Sequence, residues 1–199
     1  MIKYVVGIIA IIVWLLILRV LRKSDLRFWR FIIGAAGLFI IGLVFLMPVL
    51  TEPLARIVAL IASIPGKITG IFSAYYKYGT IMIDSSMGAI SLKIDFECSG
   101  IIEILAFVSL LVFYRVYTVL ERIWVGVIGT LCIICANALR IIVICLMIYF
   151  GGIESYYVAH TFVGRIVFYG LSVAIYFYVF TRPQILKQKV GSFKYDVDK

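Results

Sequence analysis

Three polar side chains in a largely apolar sequence could perform a reaction together. Cys98 comes just before a long apolar run, Arg140 lies inside another, and His160, the only histidine, precedes a third. A thiol, an imidazole and a guanidinium can serve as nucleophile, proton carrier and oxyanion stabiliser, the groups that acyl transfer through a thiol requires. The chemistry therefore depends on whether the fold brings these side chains together.

The composition places these residues in a membrane protein. The chain has 199 residues, of which 64% are hydrophobic, whereas a soluble domain is about half apolar. Five apolar runs are long enough to cross the ~30 Å hydrocarbon core as helices. We expect these spanning helices at about residues 2–20, 31–50, 99–119, 123–149 and 161–181.

The positive charges predict how the chain is oriented in the membrane. The formal net charge is +9, and the arginines and lysines collect in the first loop, in the short turn near Thr118 and in the tail at 182–199. The positive-inside rule makes these segments cytoplasmic. We therefore expect the N-terminus and residues 52–97 outside the cell membrane, and the basic C-terminal tail inside.

Residues 52–97 are predicted to form a small extracytoplasmic structure rather than a plain loop. Apolar residues recur at helical spacing in 53–66, and a Pro-Gly pair is expected to end this helix before it can span the bilayer. We interpret it as a helix on the outer face. Alternating apolar residues in 79–97, with turn residues at 85–88, predict a short β-hairpin that leads to Cys98.

These elements define the predicted fold class. It is an all-α multi-pass membrane protein with about five transmembrane helices, an outer-face surface helix and a short β-hairpin. No soluble domain flanks the spans, so we expect one integral membrane domain over residues 1–199. In this arrangement the active site would face the extracytoplasmic side.

The predicted topology brings the three polar side chains to a similar depth near the outer face. Cys98 opens a helix, where the helix dipole and free N–H groups favour a thiolate, so we expect it to react rapidly with reagents added outside. Arg140 lies about 25 Å above the inner end of its helix, and Asn137 shares its face. The other cysteines are interpreted as apolar interior residues: Cys132, Cys135 and Cys145.

Each of these side chains also has a purely structural explanation. Arg140 could extend to the outer interface, and a lone interfacial histidine is usually a solvated side chain. Glu103, along the helix that Cys98 opens, could pair with Arg140 or Arg165 or could be protonated, and the sequence does not decide between these. Because the thiol, the guanidinium and the imidazole are all predicted on the same side of the membrane, we favour a functional site over these separate explanations.

Three motifs in this region resemble those of a known family. They are "ECSGI" at 97–101, "NALR" at 137–140 and His160 before "FVGRIVF". Together they resemble the exosortase/archaeosortase family, and the chain is similar to its compact Gram-positive-type branch. The resemblance extends over about residues 53–170, because the order of surface helix, extended stretch and strand is also similar.

The resemblance implies a membrane-embedded cysteine transpeptidase or protease. Its substrates would be membrane-anchored proteins with a C-terminal motif, one transmembrane helix and a basic tail, and its acceptor an unknown group on the cell surface. The implied catalytic residues are Cys98, Arg140 and His160. The supporting residues are Glu97, Ser99, Gly100 and Asn137.

Under this hypothesis Cys98 forms a thioester and His160 carries the proton. Arg140 would stabilise the oxyanion, or Arg140 and Asn137 would position the substrate. A thiol protease that releases its product to water, without a transfer step, fits the same residues.

Other functional classes agree less well with the sequence. A transporter or scaffold subunit would be expected to carry a polar path, but the inner halves of the helices contain few ionisable residues. We expect no cofactor and no metal, because one histidine and one outer cysteine do not make a metal site. A nucleic-acid partner is not expected either, since the cations are spread over membrane loops.

Overall fold

The computed structural model describes residues 2–85 and 88–185. Over these residues the chain is mostly helical, with a small sheet between the third and fourth helices. The helices are α1 (Ile2–Lys23), α2 (Arg27–Phe45), α3 (Met47–Thr69), α4 (Ile101–Phe113), α5 (Val119–Gly151) and α6 (Ile153–Ile185). The strands are β1 (Phe72–Tyr75), β2 (Thr80–Ser85) and β3 (Gly88–Lys93).

The helices confirm the predicted class of all-α membrane protein. By length and apolar composition, α2, α3, α5 and α6 could each cross a membrane, and α1 adds 22 largely apolar residues. Helix α4 has only 13 residues and is shorter than the predicted span over 99–119. It ends because Tyr114 turns to extended backbone, and the Tyr114 hydroxyl is held by the Phe180 carbonyl on α6.

The helix predicted over 53–66 is longer than expected. Helix α3 starts earlier, contains Pro65 in its interior and continues to Thr69. The Thr69 hydroxyl donates to the Pro65 carbonyl at 2.7 Å, so this carbonyl near the helix end is satisfied. Gly70, with φ of 69°, is the residue that ends the helix, as glycine in a left-handed cap commonly does.

The sheet confirms the predicted hairpin and adds a strand. Strands β2 and β3 pair antiparallel, with Ile81 opposite Leu92 and Ile83 opposite Ile90. The sequence did not predict β1, which pairs antiparallel with the other side of β2. Ile81 and Ile83 are fully buried, and β2 contacts α5, so this face of the sheet joins the core.

Helix α3 packs against the sheet along much of its length. The backbone of Gly79 comes close to Ala55, and Gly66 comes close to Phe72. Open sheet edges do not occur in contact with lipid hydrocarbon, because their N–H and C=O groups would lack partners. A helix that covers such a sheet over this length therefore fits the predicted outer surface better than the bilayer centre, although its length alone would allow a span.

Close helix contacts place α4 between α2 and α5. The ring of Phe113 lies against Gly34 and the side chain of Leu105 against Gly42, so α2 and α4 run antiparallel. On the other side, the buried Phe107 ring lies against Gly129 of α5. This packing fixes the start of α4, and with it the loop that carries Cys98.

We predict that α3 does not cross the bilayer. Reporter insertions after Ser24, Lys77 and Thr118 should give a cytoplasmic, an external and a cytoplasmic signal, because α2 alone then crosses between Ser24 and Lys77. The same signal at Ser24 and Lys77 would mean that α2 and α3 both span, which would contradict the predicted topology.

Candidate active site

The loop before α4 forms a tight turn that presents Cys98. The Asp95 carboxylate accepts hydrogen bonds from the backbone N–H of Glu97 at 3.1 Å and of Cys98 at 3.2 Å. The Cys98 N–H also lies 3.2 Å from the Asp95 carbonyl. A side-chain oxygen bonded to N–H groups two and three residues later is a common way to stabilise a turn. The thiol is therefore held by a structured loop that follows β3.

Ser99 and Gly100 link this loop to α4. The Ser99 hydroxyl donates to the Phe96 carbonyl at 3.1 Å and lies 3.4 Å from the N–H of Ile101. Gly100 has φ of 76°, a conformation that side chains other than glycine rarely adopt. A Cβ atom at Gly100 would also lie 3.5 Å from the Asn137 amide. These two predicted supporting residues therefore shape the backbone of the loop.

Two buried side chains of helix α5 form hydrogen bonds with this loop. The Asn137 amide donates to the carbonyl of Cys98, and the Arg140 guanidinium donates to the carbonyl of Glu97 at 3.2 Å. Their spacing of one helical turn matches two successive carbonyls of the loop. This contact brings together the predicted "ECSG" and "NALR" segments.

Arg140 does not extend to the interface as a solvated side chain. It is 3% exposed, and its guanidinium carbon lies 5.8 Å from the centre of the Phe168 ring. Its Nε atom is buried without a hydrogen-bond partner, and among the described residues no carboxylate forms an ion pair with it. A buried guanidinium with unused donor capacity is costly, and its free donor makes Arg140 a candidate for binding a negatively charged group.

His160 reaches the thiol from α6. The two ring nitrogens lie 4.0 Å and 3.9 Å from the Cys98 sulfur, and the ring stacks on Tyr156 with centroids 5.5 Å apart. His160 lies in a π-helical turn, Ala159–Val163, which the sequence did not predict. Such turns often occur at functional sites because they change the direction of side chains within a helix.

Close packing on α5 accompanies this turn. Gly164 lies directly against Ile144, where a Cβ atom would approach the Ile144 side chain to 2.8 Å. The Gly164 N–H bonds back to the Ala159 carbonyl across the π turn. The imidazole therefore belongs to a segment fixed by its contact with the helix that carries Arg140.

Burial favours the neutral form of the Cys98 thiol over the thiolate that the helix start predicts. Cys98 is 2% exposed, and this burial raises the pKa of the thiol to about 11. Arg140 acts in the opposite direction and lowers the pKa, while the neighbouring Asp95 raises it further. Desolvation outweighs any stabilisation by the helix start, which argues against the rapid reaction with outside reagents that the sequence predicts. If Cys98 serves as a nucleophile, a base would be needed to remove its proton.

The remaining charged residues near the site are more peripheral. Glu97 and Arg165 form a half-exposed ion pair, with 3.5 Å between Oε2 and Nη2. The Glu103 carboxylate pairs with neither Arg140 nor Arg165 in the described part of the chain. It lines an apolar groove of about 730 Å³ between α4 and α6.

The other cysteines lie elsewhere on α5. Cys132 and Cys135 are exposed along a second groove, of about 640 Å³, between α5 and α6, and Cys145 is fully buried in the core. Of the four thiols, Cys98 is therefore the one beside the imidazole and the guanidinium.

A comparison with protein families places the chain beside known proteins. A family model described as transmembrane exosortase matches residues 2–178, which is most of the chain and includes all three predicted catalytic residues. No curated protein and no solved structure matches the chain.

We predict that Cys98 is alkylated slowly in native membranes. Because its pKa is about 11, the thiolate fraction should rise about tenfold per pH unit between pH 7 and 10, and iodoacetamide labelling should follow it. Replacing Arg140 with Gln removes the charge that lowers this pKa, so labelling should become slower still. Peptide mass spectrometry measures both rates.

Unfolding in detergent provides the control for this experiment. It removes the burial, so the Cys98 pKa should return to its ordinary range and labelling at pH 8 should increase roughly a hundredfold. Rapid labelling of native Cys98 at pH 7 would show that a thiolate already exists at rest.

Proposed function

Because this chain belongs to the transmembrane exosortase family, whose members are membrane-embedded sorting enzymes, we propose that it is a cysteine transpeptidase. It cleaves the C-terminal sorting signal of a membrane-anchored surface protein through a thioester on Cys98, and passes the new carboxyl end to a cell-surface acceptor. The observation that supports this most strongly is the Cys98 sulfur within 4.0 Å of the His160 ring, beside a buried Arg140.

The first half-reaction forms the acyl-enzyme. His160 removes the thiol proton as the sulfur attacks the carbonyl carbon of the scissile peptide. The C–N bond then breaks, His160 returns the proton to the leaving amine, and the acyl group remains on Cys98 as a thioester. A neutral thiol beside an imidazole suits this order of steps, because the thiol loses its proton in the same step in which the sulfur attacks.

The second half-reaction transfers the acyl group. The acceptor nucleophile gives its proton to His160 and attacks the thioester carbonyl, the C–S bond breaks, and Cys98 regains a proton. Water in place of the acceptor would give simple hydrolysis through the same intermediate.

Arg140 is suited to stabilise the oxyanion of both steps. Its Nε is buried and unpartnered, while Nη1 is bound to the loop carbonyl of Glu97. The guanidinium is thus fixed in place and retains donors for a developing negative charge, and one such donor is typically worth about 3 kcal/mol. The Asn137 amide is bound to the Cys98 carbonyl, which supports a positioning role on the enzyme rather than contact with substrate.

The groove between α4 and α6 is suited to hold the transmembrane helix of the substrate. One end of the groove lies at Glu103, in the first turn of the helix that follows Cys98, and the other end reaches Gln184. The Ser172 hydroxyl in its wall is buried without a partner. A helix in this groove would bring the motif that precedes it in the substrate to the Cys98 loop.

We predict that Cys98→Ala and His160→Ala each abolish processing of a tagged substrate, and that combining them has no further effect. The reason is that both residues serve one transition state, so their losses are far from additive. Arg140→Lys should reduce the rate about 100-fold, because lysine keeps the charge but loses the planar set of donors. Immunoblotting of substrate cleavage in cells, normalised to the membrane level of the enzyme, measures these rates.

Matched variants elsewhere on the chain control for general effects. Cys145→Ala removes a different buried thiol, and Arg56→Lys changes an exposed arginine paired with Glu52. Both should process substrate at close to the normal rate. Full activity of His160→Ala would remove the proton carrier from the proposal.

We also predict that the substrate helix crosslinks to the α4–α6 groove. The enzyme would carry Cys98→Ala to prevent cleavage and Ala106→Cys within the groove, and the substrate a single cysteine midway along its transmembrane helix. Disulfide formation should require the cysteine at position 106 and should persist when Cys132 and Cys135 are replaced by serine.

The native cysteines make this experiment decisive, because they line the other groove of α6. Crosslinking that depends on Cys132 or Cys135 would place the substrate helix between α5 and α6 instead. The cleavage assay with the unmodified enzyme is independent of either result.

A further inference from the structure

Arginines gather at the end of the molecule opposite to Cys98. Two adjoining cavities, of about 480 Å³ and 350 Å³, lie where the α1–α2 loop, the end of α4 and the start of α5 meet. We call the arginines that line them the arginine cluster. Its members are Arg22, Arg27, Arg30, Arg115 and Arg122.

The cluster has too few acidic partners for its charge. Asp25 is the one acidic residue in the walls of these cavities, and it pairs with Arg27 at 3.0 Å. Contact with Arg27 holds the pKa of Asp25 below its usual range, so the carboxylate is charged and already engaged. Among the described residues, no acid forms an ion pair with Arg22, Arg30 or Arg115.

Arg122 is anchored but not neutralised. Its Nη2 atom donates to the carbonyls of Tyr114 at 3.0 Å and Tyr117 at 3.4 Å, which complete the turn after α4. Its Nε atom is buried without a partner. The guanidinium is therefore held in place by neutral groups, and its charge adds to those of the other arginines.

Like charges that share a partly enclosed space repel one another unless an anion lies between them. Guanidinium groups bind phosphate especially well, because their planar donors match its oxygens in pairs. Several arginines from separate segments can therefore surround one phosphate. A phosphate has more acceptor oxygens than a carboxylate, so it can engage arginines from more segments at once.

The cavity walls indicate where that phosphate comes from. Beside the arginines, the larger cavity is lined by Phe31, Val112 and Phe113, which belong to the apolar faces of α2 and α4. A site with arginines on one side and membrane-helix side chains on the other matches a molecule with a phosphate head and hydrocarbon chains. Basic pockets between transmembrane helices are known to bind anionic lipid head groups in this way.

We propose that the arginine cluster binds the phosphate head group of an anionic phospholipid. The lipid phosphate would contact both the α1–α2 loop and the α4–α5 turn, and its negative charge would reduce the repulsion between the arginines. The site is separate from Cys98, and it does not depend on the proposed enzymatic activity.

The test uses the purified full-length protein in detergent, titrated with phosphatidylglycerol or phosphatidylcholine and observed by native mass spectrometry. Phosphatidylglycerol should remain bound at lower concentration than phosphatidylcholine and should raise the unfolding temperature. The double variant Arg30→Gln/Arg115→Gln should bind phosphatidylglycerol at least tenfold more weakly, because each cation near a lipid surface contributes about 1 kcal/mol. Arg182→Gln, which removes one charge outside the cluster as Arg115→Gln removes one within it, should bind normally.

Three results would overturn the proposal. The first is equal retention of the two lipids by the unaltered protein, and the second is unchanged phosphatidylglycerol binding by the double variant. The third is that millimolar inorganic phosphate raises the unfolding temperature as much as phosphatidylglycerol does, which would mean that the cluster recognises a free anion. If the double variant does not fold, Arg115→Gln alone changes an exposed side chain and should still weaken phosphatidylglycerol binding severalfold.

Discussion

The candidate site depends on the two hydrogen bonds by which α5 holds the loop before α4. Asn137 and Arg140 donate to the carbonyls of Cys98 and Glu97, and both side chains are buried. A buried amide or guanidinium that loses its partner costs several kcal/mol, so the loop and the helix cannot easily separate. Since the sheet delivers this loop and α3 packs on the sheet, the small structure between α2 and α4 sets where the thiol lies relative to His160.

The same burial influences the charge state of Cys98, the proposed nucleophile. A thiol with a pKa of about 11 stays protonated near neutral pH, which protects it from oxidation and alkylation while no substrate is present. The separation of 3.9–4.0 Å between the Cys98 sulfur and the His160 nitrogens is longer than a strong hydrogen bond. Such contacts commonly tighten when a substrate binds. The proposed enzyme would thus acquire its reactive form only with the scissile peptide in place.

The sequence predicted the main elements but not the contacts that tune the site. The rise per residue along a helix was enough to bring Arg140 to the level of Cys98, because depth in a regular helix needs no tertiary information. The continuation of α3 through Pro65 was missed, since it depends on a glycine cap four residues after the Pro-Gly pair. Strand β1 has four residues, too few for an alternating pattern. The π turn at His160 and the raised Cys98 pKa both arise from packing between distant segments, which no local pattern reports.

The central claim is that Cys98 carries the acyl group, and the most direct measurement is the mass of the enzyme during turnover. Enzyme mixed with a tagged substrate and quenched with acid should contain a fraction whose mass is increased by that of the cleaved substrate. The adduct should map to the peptide that contains Cys98 and should be released by neutral hydroxylamine, as a thioester is. Substrate that is cleaved at an undiminished rate by Cys98→Ala, with no hydroxylamine-sensitive adduct on the unaltered enzyme, would contradict the account.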